Sequence, residues 1–126
     1  MRLLLDTHIV LWALAGHRRL SADAKRLISS ADAVYVSAAS VWEIAIKQRL
    51  GKVEVVPAEL LAGIDAAGFL ELPVRAVHAA RVAELELLHA DPFDRLLVAQ
   101  AIAEPLTLLT ADAKLQRYTD LVTVVS

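Results

Sequence analysis

The sequence predicts an α/β domain with a mainly parallel central sheet and helices on both faces. Two observations carry this. Short apolar runs rich in Leu and Val alternate with longer helix-like patterns along the whole chain. Turn and cap residues (Gly, Pro, Ser, Asp) fall where one pattern gives way to the next. The 126 residues have the size of one ordinary domain, so residues 1–126 are expected to form a single unit.

The elements follow in order. Residues 2–5 (RLLL) form a short apolar strand, and Asp6 opens a helix through IVLWALAG that stops at Gly16. Ser21 caps a short helix over SADAKRLISSA. Residues 33–37 (AVYVS) have the β-branched and aromatic content of a buried strand. Residues 37–50 read as an amphipathic helix capped by Ser37 and stopped by Gly51. Pro57 begins a helix over 57–67, with Pro suited to a first turn. A strand over 69–72 ends at Pro73, and 74–88 reads as helix. The strongest helical pattern spans 92–104 and stops at Pro105. Strands at 106–110 and 121–125 enclose a short helix over about 111–118.

Composition excludes several functions. Hydrophobic residues make up 57% of the chain, which rules out disorder. Cys is absent, so there is no disulfide framework, thiolate metal site or cysteine nucleophile, and a cytoplasmic location fits. The formal net charge is −2, so a nucleic-acid partner must be held by local patches of charge. The segment MRLLLDTHIVLWALAG imitates a signal peptide weakly, but Asp6, Thr7 and His8 interrupt its apolar region. No run approaches the ~18 apolar residues a membrane-spanning helix needs.

The carboxylates occupy one kind of place. Asp6 follows the first strand, and Glu43 lies in the second turn of the helix after AVYVS. Asp91 and Asp94 begin the strongest helix, and Asp112 comes two residues after LTLLT. Ligands of open parallel sheets bind beyond the carboxyl ends of the strands. Each acid also has a plainer reading as a helix cap or first-turn acid. The joint pattern weighs against capping alone. Ser37 already caps the helix carrying Glu43, and Asp91 followed by Pro92 already caps the one carrying Asp94. Glu43 sits among Val41, Trp42, Ile44, Ala45 and Ile46, where a lone carboxylate is expensive to bury.

Converging carboxylates repel and call for a cation unless some are protonated. The donors are oxygens, and His8, His17, His78 and His89 show no paired metal spacing. Such a site suits Mg²⁺ or Mn²⁺, with phosphodiester hydrolysis as the natural reaction class.

Taken in order, MRLLLDTH, SAASVWEIAIKQRLGK, DPFDRLLVAQA and LLTAD resemble the PIN-domain ribonucleases, and more narrowly the VapC toxins of VapBC toxin–antitoxin pairs. The resemblance spans nearly the whole chain. It implies a PIN-like fold with a parallel sheet in the order 3-2-1-4-5 and a metal-dependent acidic site at one edge. It implies Asp6, Glu43, Asp94 and Asp112 as the four acids, with Asp6 and Asp94 as the most direct Mg²⁺ (or Mn²⁺) ligands. Thr7, Thr110 and Asp91 are expected to support the site, Asp91 as the cap of its helix. It also implies an endoribonuclease acting on structured RNAs such as tRNA, a homodimer, and a cognate VapB-like antitoxin.

Arg18, Arg19, Lys47 and Lys52 are the cations proposed to grip RNA phosphates, although Lys47 stands four residues after Glu43 and an ion pair along the helix is favoured for it. Trp12 and Trp42 are expected to pack in the core. Three other functions compete. A receiver domain needs adjacent acids after the first strand, where this chain has Asp6-Thr7-His8, and an Asp after the third, where it has Pro73. A non-catalytic binding module would use the acids as caps only. A PIN nuclease could also process RNA without an antitoxin.

Overall fold

The computed structural model describes residues 1–125. Five strands form one parallel sheet: β1 (Arg2–Leu5), β2 (Ala33–Ser37), β3 (Leu70–Leu72), β4 (Thr107–Thr110) and β5 (Val122–Val124), ordered β3-β2-β1-β4-β5. The helices are α1 (Thr7–Ala15), α2 (Ala22–Ser30), α3 (Ala38–Arg49), α4 (Pro57–Ala66), α5 (Ala76–Val82) and α6 (Pro92–Ala103), with a 3₁₀ turn at Ala113–Arg117. This is the PIN-like order expected. It differs from the 2-1-3-4-5 order of receiver domains.

Strand alternation divides the core into two layers. Leu3 and Leu5 of β1 point to one face and pack with Ile9, Val10, Ala24, Ile44, Leu60 and Ile64 from α1 to α4. Leu4 points to the other and packs with Leu97, Val98 and Ala101 of α6 and with Leu115. All three leucines are fully buried. Each contributes roughly 1.5–3 kcal/mol by leaving water.

Caps set where the helices begin. Ser21 Oγ accepts from Ala24 N at 3.1 Å, and Ser37 Oγ accepts from Ala39 N at 3.0 Å. Asp91 Oδ1 accepts from Phe93 N at 2.8 Å and from Asp94 N at 3.2 Å, with Pro92 in the first turn. Gly16 ends α1 at φ +61°, and Gly51 follows α3 at φ +75°. Residues with a Cβ adopt such conformations at a cost, which is why Gly serves there.

Two expectations need correction. The helix expected over 74–88 exists only as Ala76–Val82. Tight i→i+3 bonds replace it, from Ala83 N to Ala80 O and from Leu85 N to Val82 O. The Arg95 guanidinium then donates to Val82 O at 3.3 Å and Leu85 O at 3.1 Å, taking carbonyls a longer helix would use. Trp42, expected in the core, is 63% exposed. It lies on the outer side of α3, edge-on to Phe93 with ring centroids 5.2 Å apart. Trp12 is partly buried and packs against the core layer of α1 to α4. Among the described residues, no helix is long and apolar enough to cross a membrane.

Candidate active site

Parallel pairing places the first acid. Asp6 N donates to Leu109 O at 3.0 Å, continuing the β1–β4 ladder by one residue and setting Asp6 beside Thr110. One carboxylate oxygen of Asp6 caps α1, accepting from Ile9 N at 3.0 Å. The other accepts from the buried Thr110 hydroxyl. Thr110 Oγ1 in turn accepts from Asp112 N at 3.0 Å. One threonine thus joins two acids separated by most of the chain.

Asp112 repeats the pattern. Its Oδ1 caps the 3₁₀ turn, accepting from Lys114 N at 2.9 Å, which leaves Oδ2 for the site. Capping and site membership are therefore compatible for Asp6 and Asp112, because a carboxylate has two oxygens. Asp94, in the first turn of α6, makes no cap bond to a backbone N–H; Asp91 fills that role.

Asp6, Asp94 and Asp112 line one open cavity of ≈ 400 Å³ together with His8, Trp12, Arg19 and Ala111. Burial pushes the Asp6 carboxyl above its usual range, against bonds from Thr110 and Ile9 that lower it. Asp94 is pushed up to about 6. Burial is the main cause, and the nearby Asp91 and Asp6 carboxylates add to it, while a bond from His89 opposes it. Asp6 and Asp94 thus resist ionisation in the absence of a counter-charge.

His89 carries no motif signal in the sequence. Its Nε2 lies 2.8 Å from Asp94 Oδ2 and 3.6 Å from Asp112 Oδ2. The three side chains offer ligand atoms all within 4.8 Å of one another. No spacing signal could have found it, since α6 and β4 separate His89 from Asp112. The loop carrying it is held by Arg95 and by Leu88 N donating to Tyr118 Oη at 3.2 Å.

Glu43 is held beside this cavity and does not line it. Its buried carboxylate accepts from Thr7 Oγ1 at 2.7 Å and pairs with Lys47 Nζ at 2.8 Å. Thr7 Oγ1 also lies 3.0 Å from Ser40 Oγ. Glu43 faces a neighbouring cavity of ≈ 400 Å³ lined by Ile46, Lys47, Leu50, Lys52, Asp91 and Phe93, among others. The structure therefore gathers three of the four expected acids and joins the fourth to them through Thr7. Of the four cations considered for RNA, only Arg19 lines the acid cavity. Lys47 is committed to Glu43, Lys52 lines the second cavity, and Arg18 is exposed next to Arg19.

The donor set fits a hard divalent cation. Three carboxylates from different parts of the chain share a cavity, and burial disfavours the charged forms of Asp6 and Asp94, with repulsion from Asp91 and Asp6 adding to it at Asp94.

The family model of the PIN domain matches residues 3–121. The chain belongs to the PIN domain family. Solved structures agree in fold at low identity. The Rickettsia felis VapBC2 structure, bound to a promoter DNA fragment, aligns with TM-score 0.72 and 19% identity over 100% of both chains. The Neisseria gonorrhoeae FitAcB structure aligns with TM-score 0.67 and 20% identity, over 98% of this chain and 96% of that one. Mycobacterium tuberculosis VapC20, a Sarcin-Ricin loop cleaving toxin, aligns with TM-score 0.62 and 18% identity, over 94% of this chain and 97% of that one. Curated protein sequences give no match. As a PIN domain, the chain carries its acid cavity at the carboxyl edge of β1 and β4.

Proposed function

We propose that this PIN domain is a divalent-metal-dependent endoribonuclease and the toxin of a VapBC-type toxin–antitoxin pair. The observation that carries the reading is the convergence of Asp6, Asp94 and Asp112 on one cavity at the sheet's carboxyl edge in a chain of this family. Support for the toxin role comes from fold neighbours whose structures are toxin–antitoxin complexes, and for RNA from a neighbour that cleaves the Sarcin-Ricin loop.

Asp6, Asp94 and Asp112 would hold Mg²⁺ or Mn²⁺, which supplies water activation and charge neutralisation at the phosphodiester. Thr110 fixes one carboxylate oxygen of Asp6 and the backbone N–H of Asp112. His89 orients Asp94. Glu43 and Thr7 lock the start of α1 against α3, and so hold the Asp6 segment in place. Arg19 meets a phosphate at the cavity mouth.

The exposed Trp42 and Ile46 of α3, with Leu50 just past its end, supply apolar surface for a second copy or an antitoxin. A clean monomer in light scattering at high concentration would contradict the homodimer. Co-purification with a co-encoded partner tests the antitoxin. The enzymatic reading is tested by RNA cleavage in Mg²⁺ with Asp6→Asn against the unsubstituted chain: the variant should be inactive, and equal rates would overturn the assignment.

A further inference from the structure

The acid cavity has a second, aromatic wall. Trp12 lines it directly, with His8 one turn earlier on α1. Two imidazoles lie near the Trp12 ring, with centroids 6.0 Å away for His8 and 6.3 Å away for His17. The His17 ring is nearly parallel to it, at 25°.

This corner is built by the end of α1. The turn through Gly16, at φ +61°, lets His17 N donate back to Trp12 O at 2.9 Å and brings the imidazole close to the indole. His17 Nδ1 then accepts from Arg19 N at 3.0 Å. That bond fixes the backbone from which Arg19 reaches the same cavity. Aromatic rings, a guanidinium and three carboxylates thus share one space of ≈ 400 Å³, within the ~300–1,000 Å³ typical of small-ligand sites.

We propose that Trp12, flanked by His8, is a stacking platform for one unpaired nucleobase next to the scissile phosphate, and that Arg19 holds a phosphate of the same strand. The inference rests on the nuclease reading and adds to it a substrate requirement. A base stacked on Trp12 has left its own helix, so the cavity takes an unpaired nucleotide and rejects the same sequence in a duplex. Bases of any identity have a π-face, so the platform favours unpaired strands over a particular sequence. Trp12 and Arg19 are substrate-binding residues in this scheme, and the acids carry the chemistry.

The chain has two tryptophans, and Trp42 stands apart from this site on α3. Trp42→Phe therefore leaves Trp12 as the sole tryptophan reporter. The experiment titrates this variant with a ten-nucleotide single-stranded RNA, with Ca²⁺ replacing Mg²⁺ to slow cleavage, and follows binding independently by anisotropy of the labelled strand. Saturable quenching of Trp12 by the single strand, and little by its duplex, is expected. In Mg²⁺, Trp12→Ala should raise KM for unpaired RNA about tenfold with kcat within about threefold, and Trp12→Phe should recover most of the loss. Arg19→Ala should raise KM and reduce the salt slope of binding by about one. RNA that binds without changing Trp12 fluorescence, or a Trp12→Ala variant that loses kcat at unchanged KM, overturns the platform. If the unsubstituted chain neither binds nor cleaves RNA, the nuclease reading itself has failed and the platform with it.

Discussion

Thr7 Oγ1 donates to Glu43 Oε1 at 2.7 Å, tying the first residue of α1 to the second turn of α3 across 36 positions of sequence. Both groups are buried, so water cannot replace the bond. Thr7→Val keeps the side-chain volume and removes the donor. Loss of a hydrogen bond to a buried charged group predicts a destabilisation of about 1–3 kcal/mol. Urea unfolding checks this, and an unchanged midpoint would show that Lys47 alone satisfies Glu43.

Asp91 and Asp94 predict opposite effects on stability. Asp91 caps α6 with two backbone bonds, so Asp91→Ala should destabilise by about 1 kcal/mol. Asp94 is half-buried beside other carboxylates, and its charge is disfavoured in the fold. Asp94→Asn should leave metal-free stability at or above that of the parent near neutral pH. Thermal melts of the two variants in a chelating buffer compare them directly.

The same shift sets a pH dependence. A carboxyl raised from 3.8 to about 6 binds more protons in the folded state than in the unfolded state. Metal-free stability should therefore fall as pH rises from about 4 through about 6, and Asp6, also raised, acts in the same direction. A cation bound by the ionised acids opposes the trend. The rise in Tm on adding Mg²⁺ should be larger near pH 7 than near pH 5, and an increment independent of pH would argue against these acids as the ligands.

His89 bonds Asp94 and lies 3.6 Å from Asp112, on a loop anchored by Arg95 and Tyr118. Groups that orient metal ligands typically change affinity ~10–100-fold when removed. His89→Ala should raise the Mn²⁺ concentration needed for half-maximal cleavage by about tenfold or more. Metal titrations of cleavage measure it; a superimposable curve would make His89 a bystander.

Much of this was legible in the chain itself. The alternation of apolar runs and capped helical patterns located every strand, and Ser37 and Asp91 act as the caps their positions suggested. What failed had local causes. The helix over 74–88 is cut short by Arg95, a residue of α6 that reaches back to its carbonyls, and no local pattern encodes that contact. Trp42 reads as core by residue type, yet its position on α3 turns it outward. His89 meets Asp112 only because β4 returns the chain to the same sheet edge. For Asp6 and Asp112, sequence position cannot separate capping from site membership, because each carboxylate caps with one oxygen and faces the site with the other. Lys47 behaves as its spacing from Glu43 indicated, which removes it from the cations free to hold RNA.

The most direct test of the central claim is the rate of RNA cleavage in Mg²⁺ by Asp94→Asn and Asp91→Ala, measured side by side with the unsubstituted chain. The account predicts that Asp94→Asn loses at least ~100-fold while keeping its stability, and that Asp91→Ala stays within about tenfold of the parent at a temperature where it is folded. An active Asp94→Asn, or equal losses in the two variants, would contradict it.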